Sequence, residues 1–347
     1  MTQSNDKIAL VIGATGTFGL HALEALAKHG WTIRALARNP AGAAQKLGPR
    51  SPIEWVKGDA MDAASVVAAA QGVRLIVHAA NPPGYRNWNG TILPMTDRVI
   101  AAARANGARL VIPGNVYPFA PDAGSRIGEV AAQAPVTRKG KIRQVQERQL
   151  REAAAEGVKV LILRSGDFFG PAAPNSALAW LTTRRNDRLT GVFSPGPGAV
   201  GHAYAYMPDL AETLARLMDA EDRLADFAVF HFRGHYLEHN AELGEAIRRV
   251  AGRPDLPVRP FPWIVVLAAS PFIEMFRELL EMRYLWRRPI GLDNAKLVAF
   301  LDAEPHTPLD AALRATLTDM GCLAEPKASG PAVGFDRDPS AARASLA

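Results

Sequence analysis

The chain has 347 residues, of which 48% are hydrophobic, and a formal net charge of +6. This length and apolar content allow a large buried core, and they exclude a disordered or fibrous protein. The single cysteine, Cys322, excludes an intrachain disulfide and a thiolate metal cluster. Such cysteine usage is typical of a reducing compartment, so we predict a cytoplasmic protein.

Neither a membrane nor a nucleic acid is a predicted partner, with a peripheral membrane contact at residues 260–273 as the open alternative. Residues 1–6 are polar and do not resemble a signal peptide, and the longest uncharged stretch, residues 260–273, is shorter than the roughly 20 residues needed to span a bilayer. The basic cluster at residues 138–151 is interrupted by Glu147 and Glu152 and lacks interleaved aromatic residues. A solvated surface and an anionic cofactor explain the positive charge more simply.

The first predicted element is a buried strand that runs directly into a glycine-rich turn. An apolar run at residues 8–12 is followed by Gly13, Gly16 and Gly19, and then by an apolar helix pattern through residues 20–27. Gly13 allows a tight turn, Gly16 lets the backbone approach a pyrophosphate, and Gly19 lets the helix pack against the strand. The helix N-terminus then points its N–H groups at phosphates, so the segment predicts a dinucleotide-binding turn.

Strands and helices alternate through the first half of the chain, which predicts a doubly wound parallel sheet. Further strands are predicted at residues 32–37, 53–56, 74–77, 109–112 and 158–163, and helices at residues 41–47, 63–70, 94–105 and 139–156.

The second half is less regular and predicts a smaller lobe interleaved with returning sheet strands. We predict a strand at 202–206 and helices at 176–184, 209–219, 241–250, 263–282, 294–300 and 309–320. The predicted organisation is an α/β Rossmann fold at residues 1–170, a C-terminal α/β substrate lobe at 171–322 and a disordered tail at 323–347, which is rich in Ala, Ser, Pro and Gly.

Six segments in order resemble the extended or atypical short-chain dehydrogenase/reductases, the group of NAD(P)-dependent epimerases and dehydratases. They are GATGTFG at 13–19, VKGDAMD at 56–62, VHAANP at 77–82, NVYPF at 115–119, LRSGDFFGP at 163–171 and HAYAYMPDLAE at 202–212. The resemblance implies a small carbonyl, hydroxyl or sugar-nucleotide-like substrate. In this family the helices at 94–105 and 139–156 pair across dimers, which allows a homodimer.

The end of the second strand decides the predicted cofactor. Family members that prefer NAD carry an acidic residue there, whereas this chain has Arg38, with Arg34 as a candidate helper. An arginine suits a 2′-phosphate, so we predict NADP(H) rather than NAD(H), with a surface arginine as the alternative. The resemblance further implies cofactor contacts in the turn and at later strand ends. These residues are Gly13, Thr15, Gly16, Thr17, Phe18, Gly19, Asp59, Ala79, Ala80 and Asn81, whereas His78 is expected to be a packed structural residue.

The usual catalytic pair of the family is absent. A tyrosine followed four residues later by lysine normally shares one helix face, and here the matching helix places Thr137 before Lys141. No tyrosine in the chain has a lysine four residues on, and Pro113 and Gly114 replace the family's serine. By resemblance Lys141 would bind the nicotinamide ribose, while Thr137 is too weak an acid to replace a phenol.

Another group must therefore donate the proton if one is donated. The candidates are Tyr117, Asp167 and Tyr204, together with His202 and Tyr206, which alternate with Tyr204 along one strand. Simple packing of the tyrosines and exposure of His202 are the alternatives. No metal-binding or nucleophile-elbow motif occurs, so no metal is predicted.

Two functions remain open from the sequence. The first is an NADP(H)-dependent oxidoreductase or epimerase/dehydratase-like enzyme with a nonstandard proton donor. The second is a noncatalytic NADP(H)-binding redox sensor, which the loss of both the serine and the tyrosine suggests.

Overall fold

The described part of the computed structural model comprises most of the chain. It covers residues 7–48, 52–82, 87–174, 176–185 and 188–323, without the side chains of 183–185. The predicted disordered tail lies outside the described residues beyond residue 323. Within the described part no helix is both long and apolar enough to cross a membrane.

A parallel sheet of seven strands forms the centre of the fold. Its strands are β1 Ile8–Ile12, β2 Thr32–Ala37, β3 Ile53–Lys57, β4 Leu75–His78, β5 Arg109–Asn115, β7 Val160–Ser165 and β12 Phe227–His231. Their order is β3-β2-β1-β4-β5-β7-β12, so the chain direction across the sheet reverses between β1 and β4. In open α/β sheets, ligands bind beside the carboxyl ends of the strands at this point.

Helices cover both faces of the large sheet, which confirms the predicted doubly wound fold. They are α1 Thr17–Lys28, α2 Pro40–Leu47, α3 Ala63–Ala69, α4 Trp88–Asn106, α5 Arg138–Ala155, α7 Met207–Asp219 and α11 Ala295–Leu301. Alternate residues of β1 enter two separate cores: Ala9 and Val11 pack with α1 and α7, whereas Leu10 and Ile12 pack with α3 and α4. Both faces of β1 are thus apolar, as its continuous hydrophobic run predicts.

Two smaller sheets lie beyond the carboxyl edge of this framework. One joins β13 His235–Leu237, β11 His202–Tyr206, β15 Ile290–Leu292 and β6 Gly124–Ile127, with β8 Asp167–Phe169 paired to β11. The other joins β14 Val258–Pro260, β10 Arg188–Ser194 and β9 Thr182–Arg185. The remaining helices are α6 Ala177–Leu181, α8 Ala241–Ala251, α9 Trp263–Ala269, α10 Glu274–Met282 and α12 Leu309–Asp319, with 3₁₀ turns at Glu221–Arg223 and Arg283–Trp286.

Two predicted helices in this lobe are wrong in extent. The helix expected at 176–184 ends at Leu181, because the following residues pair with β10 as a strand. The helix expected at 263–282 is two helices, α9 and α10. Pro271 lies between them and has no N–H to continue the first helix, while the Ser270 hydroxyl donates to the Leu267 carbonyl at 2.8 Å.

A histidine cluster ties α1 to α7 and makes stability depend on pH. His29 contacts Asp219 at 2.5 Å and Glu212 at 3.2 Å. Burial is the largest influence on its pKa and lowers it, but the two carboxylates outweigh burial and raise the pKa above 6.5. The cluster therefore stabilises the fold fully below about pH 6.5 and loses this effect as pH rises through the folded-state pKa.

We expect His29→Gln to cost up to about 1 kcal/mol of unfolding free energy at about pH 6 and less at about pH 8.5. Urea unfolding of variant and wild type at both pH values measures this difference. His239→Gln, at an exposed histidine, is the matched control and should show no such pH dependence. A constant difference for His29→Gln across the range would contradict the ion-pair explanation.

Candidate functional site

The glycine turn packs closely against the ends of β1 and β4. Gly13 has a φ of +90°, and a Cβ there would lie 2.6 Å from the Ala80 nitrogen. A Cβ on Gly19 would collide with the Gly13 carbonyl, so the first turn of α1 packs directly on the strand end. At Gly16 a Cβ would meet only the Gly13 oxygen, at 3.2 Å, among the described residues.

The N-terminus of α1 is available to an anion. Gly16 is its N-cap, and no side chain caps the first N–H groups. The Lys46 ammonium from α2 donates to the Thr15 carbonyl at 3.2 Å, which places a positive charge beside the turn. Phe18 is buried in the core and the Thr17 hydroxyl donates to the Ala172 carbonyl at 3.4 Å, so these two residues present backbone to a ligand.

The two arginines of β2 and its end differ in environment. The Arg34 guanidinium donates to Glu54 at 2.9 Å and to the carbonyls of Ala69 and Gln71, so it holds β2, β3 and α3 together and is not free to help bind a phosphate. Arg38 is exposed and forms no ion pair with any described residue. Asp59, after β3, accepts from the Met61 N–H at 2.9 Å.

A cationic and aromatic cluster lies at the end of β4. The Arg143 guanidinium from α5 donates to the Asn81 side-chain oxygen at 3.3 Å and lies 4.8 Å from the centre of the Trp88 ring. Trp88 in turn stacks on Tyr117, with ring centroids 6.4 Å apart. Burial, followed by the charge of Arg143, lowers the pKa of His78 to about 4, so His78 is neutral at physiological pH.

The start of α5 differs from the arrangement that the sequence suggests. Thr137 is buried and caps the helix by accepting from the Gly140 N–H at 3.0 Å. Lys141 is exposed on the outer face, and the inward face carries Lys139 and Arg143, which are four residues apart. Two residues correspond to about 200° around a helix, so Lys141 lies on a different face from Lys139, and its contact with the cofactor stays a prediction.

Lys139 is enclosed by acidic residues of α10. Only 1% of Lys139 is exposed, and its ammonium pairs with Glu278 and with Glu281, the latter at 2.9 Å. The Glu281 carboxylate also accepts from the Lys139 N–H at 3.1 Å, and Arg138 completes the cluster from the surface side. The charges of the two cations and two carboxylates cancel, and these ion pairs offset the desolvation cost of burying Lys139.

Asp167 and His202 form a close pair on adjacent strands of the smaller sheet. The His202 Nε2 atom lies 2.8 Å from Asp167 Oδ2, and Nδ1 lies 3.0 Å from the Leu285 carbonyl oxygen. His202 is 3% exposed, whereas 17% of the Asp167 side chain is accessible. The alternative of an exposed His202 is therefore wrong.

The partners of His202 place an acceptor oxygen beside each ring nitrogen. A carbonyl oxygen and a carboxylate oxygen both accept hydrogen bonds, and the tautomer decides which ring nitrogen donates. Both contacts fix the ring against the Asp167 carboxyl, which is the more accessible member of the pair.

Two phenols lie beside this pair. Tyr204 is the strand partner of Asp167, and its ring meets His202 edge to face at 4.7 Å. Its buried hydroxyl has no hydrogen-bond partner among the described residues. Burial and then the charge of Asp167 raise the pKa of both Tyr204 and Tyr284 above the usual value of 10, although the hydroxyl of Thr137 acts in the opposite direction on Tyr284. Both phenols therefore stay protonated and can act as hydrogen-bond donors.

Comparison with family models places the chain in a known group. The model of the NAD-dependent epimerase/dehydratase family matches residues 9–230, which is more than half of the chain. The chain belongs to the NAD-dependent epimerase/dehydratase family. This match confirms the resemblance seen in the sequence. A search of the curated proteins found no match.

Solved structures of similar fold include sugar-nucleotide epimerases. MoeE5 in complex with UDP-glucose and NAD has a TM-score of 0.69 and 20% identity, over 90% of this chain and 97% of that one. UDP-glucuronic acid 4-epimerase from Bacillus cereus, in complex with UDP-glucuronic acid and NAD, has a TM-score of 0.69 and 15% identity, over 90% and 98%. UDP-glucose 4-epimerase from Bifidobacterium longum, in complex with NAD⁺ and UDP, has a TM-score of 0.67 and 16% identity, over 89% and 97%. At these identities the likeness establishes the fold.

The structure brings some of the predicted site residues together and separates others. Thr137, Asp167 and Tyr204 lie around Tyr284 and His202, whereas Tyr117 belongs to the neighbouring cluster with Trp88. Among the described residues, no group of three or more His, Cys, Asp or Glu side chains could hold a metal ion.

Sequence reasoning missed Tyr284 and Arg143 as site residues. Tyr284 lies in the 3₁₀ turn at Arg283–Trp286, far along the chain, and no motif marks it. Arg143 had one available signal, since it follows Lys139 by four residues, the spacing that places two side chains on one helix face.

Proposed function

We propose that this protein is an NADP(H)-dependent oxidoreductase or epimerase of the epimerase/dehydratase family that uses the Asp167–His202 pair as its acid–base group. The single observation that carries the proposal is the 2.8 Å contact between the buried His202 ring and the partly accessible Asp167 carboxyl. A carboxyl held in place by an imidazole can exchange a proton with a substrate oxygen. It supplies the function that the missing tyrosine performs in relatives.

The glycine turn and its surroundings fit a dinucleotide. The backbone at Gly13 and Gly19 leaves no room for a Cβ, and the uncapped N-terminus of α1 offers its N–H groups to a pyrophosphate. Arg143 and Asn81 would lie beside the other half of the cofactor, at the end of β4. When bound, the nicotinamide accepts or returns a hydride.

The proposed preference for a phosphorylated cofactor rests on Arg38 and Lys46. Arg38 has no ion pair with a described residue, and Lys46 adds a positive charge at the Thr15 carbonyl. A 2′-phosphate would bind such cations through charge-assisted hydrogen bonds. The similar structures are complexes with NAD, so NAD is the competing assignment for this site.

We expect Arg38→Ala to weaken NADPH binding by about ten- to a hundredfold, because one or two charge-assisted hydrogen bonds are lost. NADH binding should change by less than about threefold, since NADH lacks the 2′-phosphate. Fluorescence titration of both cofactors against wild type and variant measures the effect.

Arg253→Ala removes an exposed arginine of the small lobe and serves as the matched control. Equal losses for NADPH and NADH in Arg38→Ala would show a general structural effect. Tighter binding of NADH than of NADPH by the wild type would overturn the assignment of NADP(H).

The acid–base residues follow from which atoms are accessible. In a reduction, Asp167 would pass its proton to the substrate oxygen as the hydride arrives at the adjacent carbon, and in an oxidation it would take up the hydroxyl proton. His202 holds the carboxyl in place, while the protonated Tyr284 would donate a hydrogen bond to the same substrate oxygen. Asp167 is thus the proposed catalytic residue, and His202 a positioning residue.

The proposed substrate is a small hydroxyl or carbonyl compound of the sugar-nucleotide class. The similar structures are described with UDP-glucose, UDP-glucuronic acid and UDP, and the site here provides an acid–base group for a sugar hydroxyl. We would incubate the protein and each cofactor with a panel of UDP-sugars and simple carbonyl compounds. Absorbance of the reduced nicotinamide and chromatography of epimers would report turnover.

Turnover of a UDP-sugar that is lost in Asp167→Asn would support the proposal. If the protein binds NADPH but turns over none of the panel, the enzyme proposal fails and the noncatalytic redox-sensor function predicted as the alternative takes its place. A partner whose affinity differs between NADP⁺ and NADPH would then identify that function.

A further inference from the structure

The small lobe exposes a continuous run of large apolar side chains. They belong to α9 and to the turn that follows it. The exposed fractions are 84% for Ile264, 60% for Val265, 60% for Leu267, 88% for Phe272 and 42% for Ile273. Val266 is the single buried large residue of α9, so this short helix turns most of its apolar surface outward. Isolated exposed apolar residues are ordinary on protein surfaces, whereas a clustered group of this kind marks an interaction site. We call these five residues the α9 patch.

Several arginines lie close to the α9 patch along the chain. Arg259 precedes it on β14, and Arg287 and Arg288 follow on the exposed side of the Arg283–Trp286 turn. The Arg277 guanidinium donates to the carbonyls of Ser270 and Pro271, next to Phe272. The nearby acidic residues Glu278 and Glu281 are neutralised by Arg138 and Lys139.

The net charge of residues 259–288 is therefore positive once Glu278 and Glu281 are paired. Glu274 is the one other acidic residue in this segment. An apolar face with a basic rim is the pattern by which short helices bind the interface of an anionic membrane. A second copy of the chain would bring the same basic rim against itself, which charge repulsion disfavours.

Helix α9 is also linked to the acid–base pair, through its first residue, Trp263. Arg283 lies 4.8 Å from the centre of the Trp263 ring, and Trp263 packs on Trp286 with centroids 5.9 Å apart. Trp286 then stacks on His202 at 6.0 Å. A membrane that covers α9 would thus lie close to Trp286, the ring that stacks on His202.

We propose that the α9 patch docks this protein on the surface of an anionic membrane, with Ile264 and Phe272 inserted among the lipids and the surrounding arginines on the headgroups. The prediction of no membrane partner rested on the lack of a spanning length, and a helix lying in the interface does not need that length. Binding of this kind is independent of the proposed enzymatic function.

Flotation of the full-length protein with vesicles tests the proposal. We would compare vesicles of phosphatidylcholine alone with vesicles that also contain phosphatidylglycerol, at low and high salt. We expect binding to the anionic vesicles, weakened by salt, and a blue shift of tryptophan emission. The double variant Ile264→Ser, Phe272→Ser should lower the vesicle partition coefficient by at least about tenfold, since it removes two side chains from the lipid.

Val298→Ser, at an exposed valine on α11, is the matched control and should bind as the wild type does. Light scattering without vesicles gives the oligomeric state of each variant. Absence of binding to anionic vesicles would overturn the proposal. So would a wild-type oligomer that becomes monomeric in the double variant, because the α9 patch would then be an interface between copies of the chain. Equal binding to both vesicle types would overturn the role of the arginines.

Discussion

Replacement of Asp167 by asparagine is expected to lower kcat by about 10²- to 10⁴-fold, with cofactor affinity within about twofold of the wild type. The amide has almost the same shape and still contacts His202, but it cannot take up or release a proton. Steady-state kinetics on the substrate identified in the panel, together with NADPH titration, separates the loss of chemistry from a loss of binding.

Two further variants make this result specific. Asp122→Asn, at an exposed aspartate, is the matched control and should leave kcat unchanged. Tyr284→Phe removes a hydrogen-bond donor but leaves the proton pair intact, so we expect a loss of less than about tenfold. If Tyr284→Phe lowers kcat by about 10²- to 10⁴-fold while Asp167→Asn lowers it little, the phenol is the proton donor and our assignment of Asp167 is wrong.

Replacement of Lys139 by methionine is expected to destabilise the fold by about 3–5 kcal/mol at neutral pH. Glu278 and Glu281 would then face each other without their buried cation. Burial, the largest influence on the pKa of Glu281, raises it, but the hydrogen bonds and charge of Lys139 outweigh burial and hold the pKa below 4.5. The stabilisation from Glu281 is therefore present above about pH 4.5 in the wild type and is lost as pH falls.

The difference in unfolding free energy between the methionine variant and the wild type should therefore become smaller as pH falls, because the carboxyls that have lost Lys139 take up protons. Urea unfolding at several pH values measures both effects. Lys141→Met, two residues along the same helix, is the matched control, and we expect it to change the unfolding free energy by less than about 0.5 kcal/mol because Lys141 is exposed. Equal effects of the two substitutions would contradict the assignment of inner and outer faces.

Six of the seven strands of the large sheet could be predicted because they are defined by local patterns, whereas β12 was not predicted. The strand at Thr32–Ala37 and the strand at His202–Tyr206 have the predicted bounds, since each is a short apolar or alternating run between turn residues. The short strands β8, β13 and β15 could not be predicted, because three residues contain no usable period. They are strands only because β11 and its neighbours offer backbone partners.

The candidate site was only partly predictable for the same reason. Asp167 and Tyr204 were candidates because of their positions at strand ends, and the structure places them side by side on paired strands. The sequence does not show which residues of α5 face α10, because that depends on where the helix begins and on its orientation about its own axis. The contact of Lys139 with Glu281 of α10 fixes this orientation. Tyr284 entered the site through a contact with a part of the chain distant in sequence.

By itself, the sequence determined the fold class, the position of the glycine-rich turn and the absence of a tyrosine followed four residues later by lysine. These properties depend on glycine spacing, apolar periodicity and residue identity, which are local. The tertiary structure decided which polar groups meet, namely that His202 is buried against Asp167, that Lys139 is buried by α10 and that the apolar residues of α9 face outward. Those outcomes depend on long-range packing and on the low dielectric of the interior, where a proton or a charge persists only beside a suitable partner.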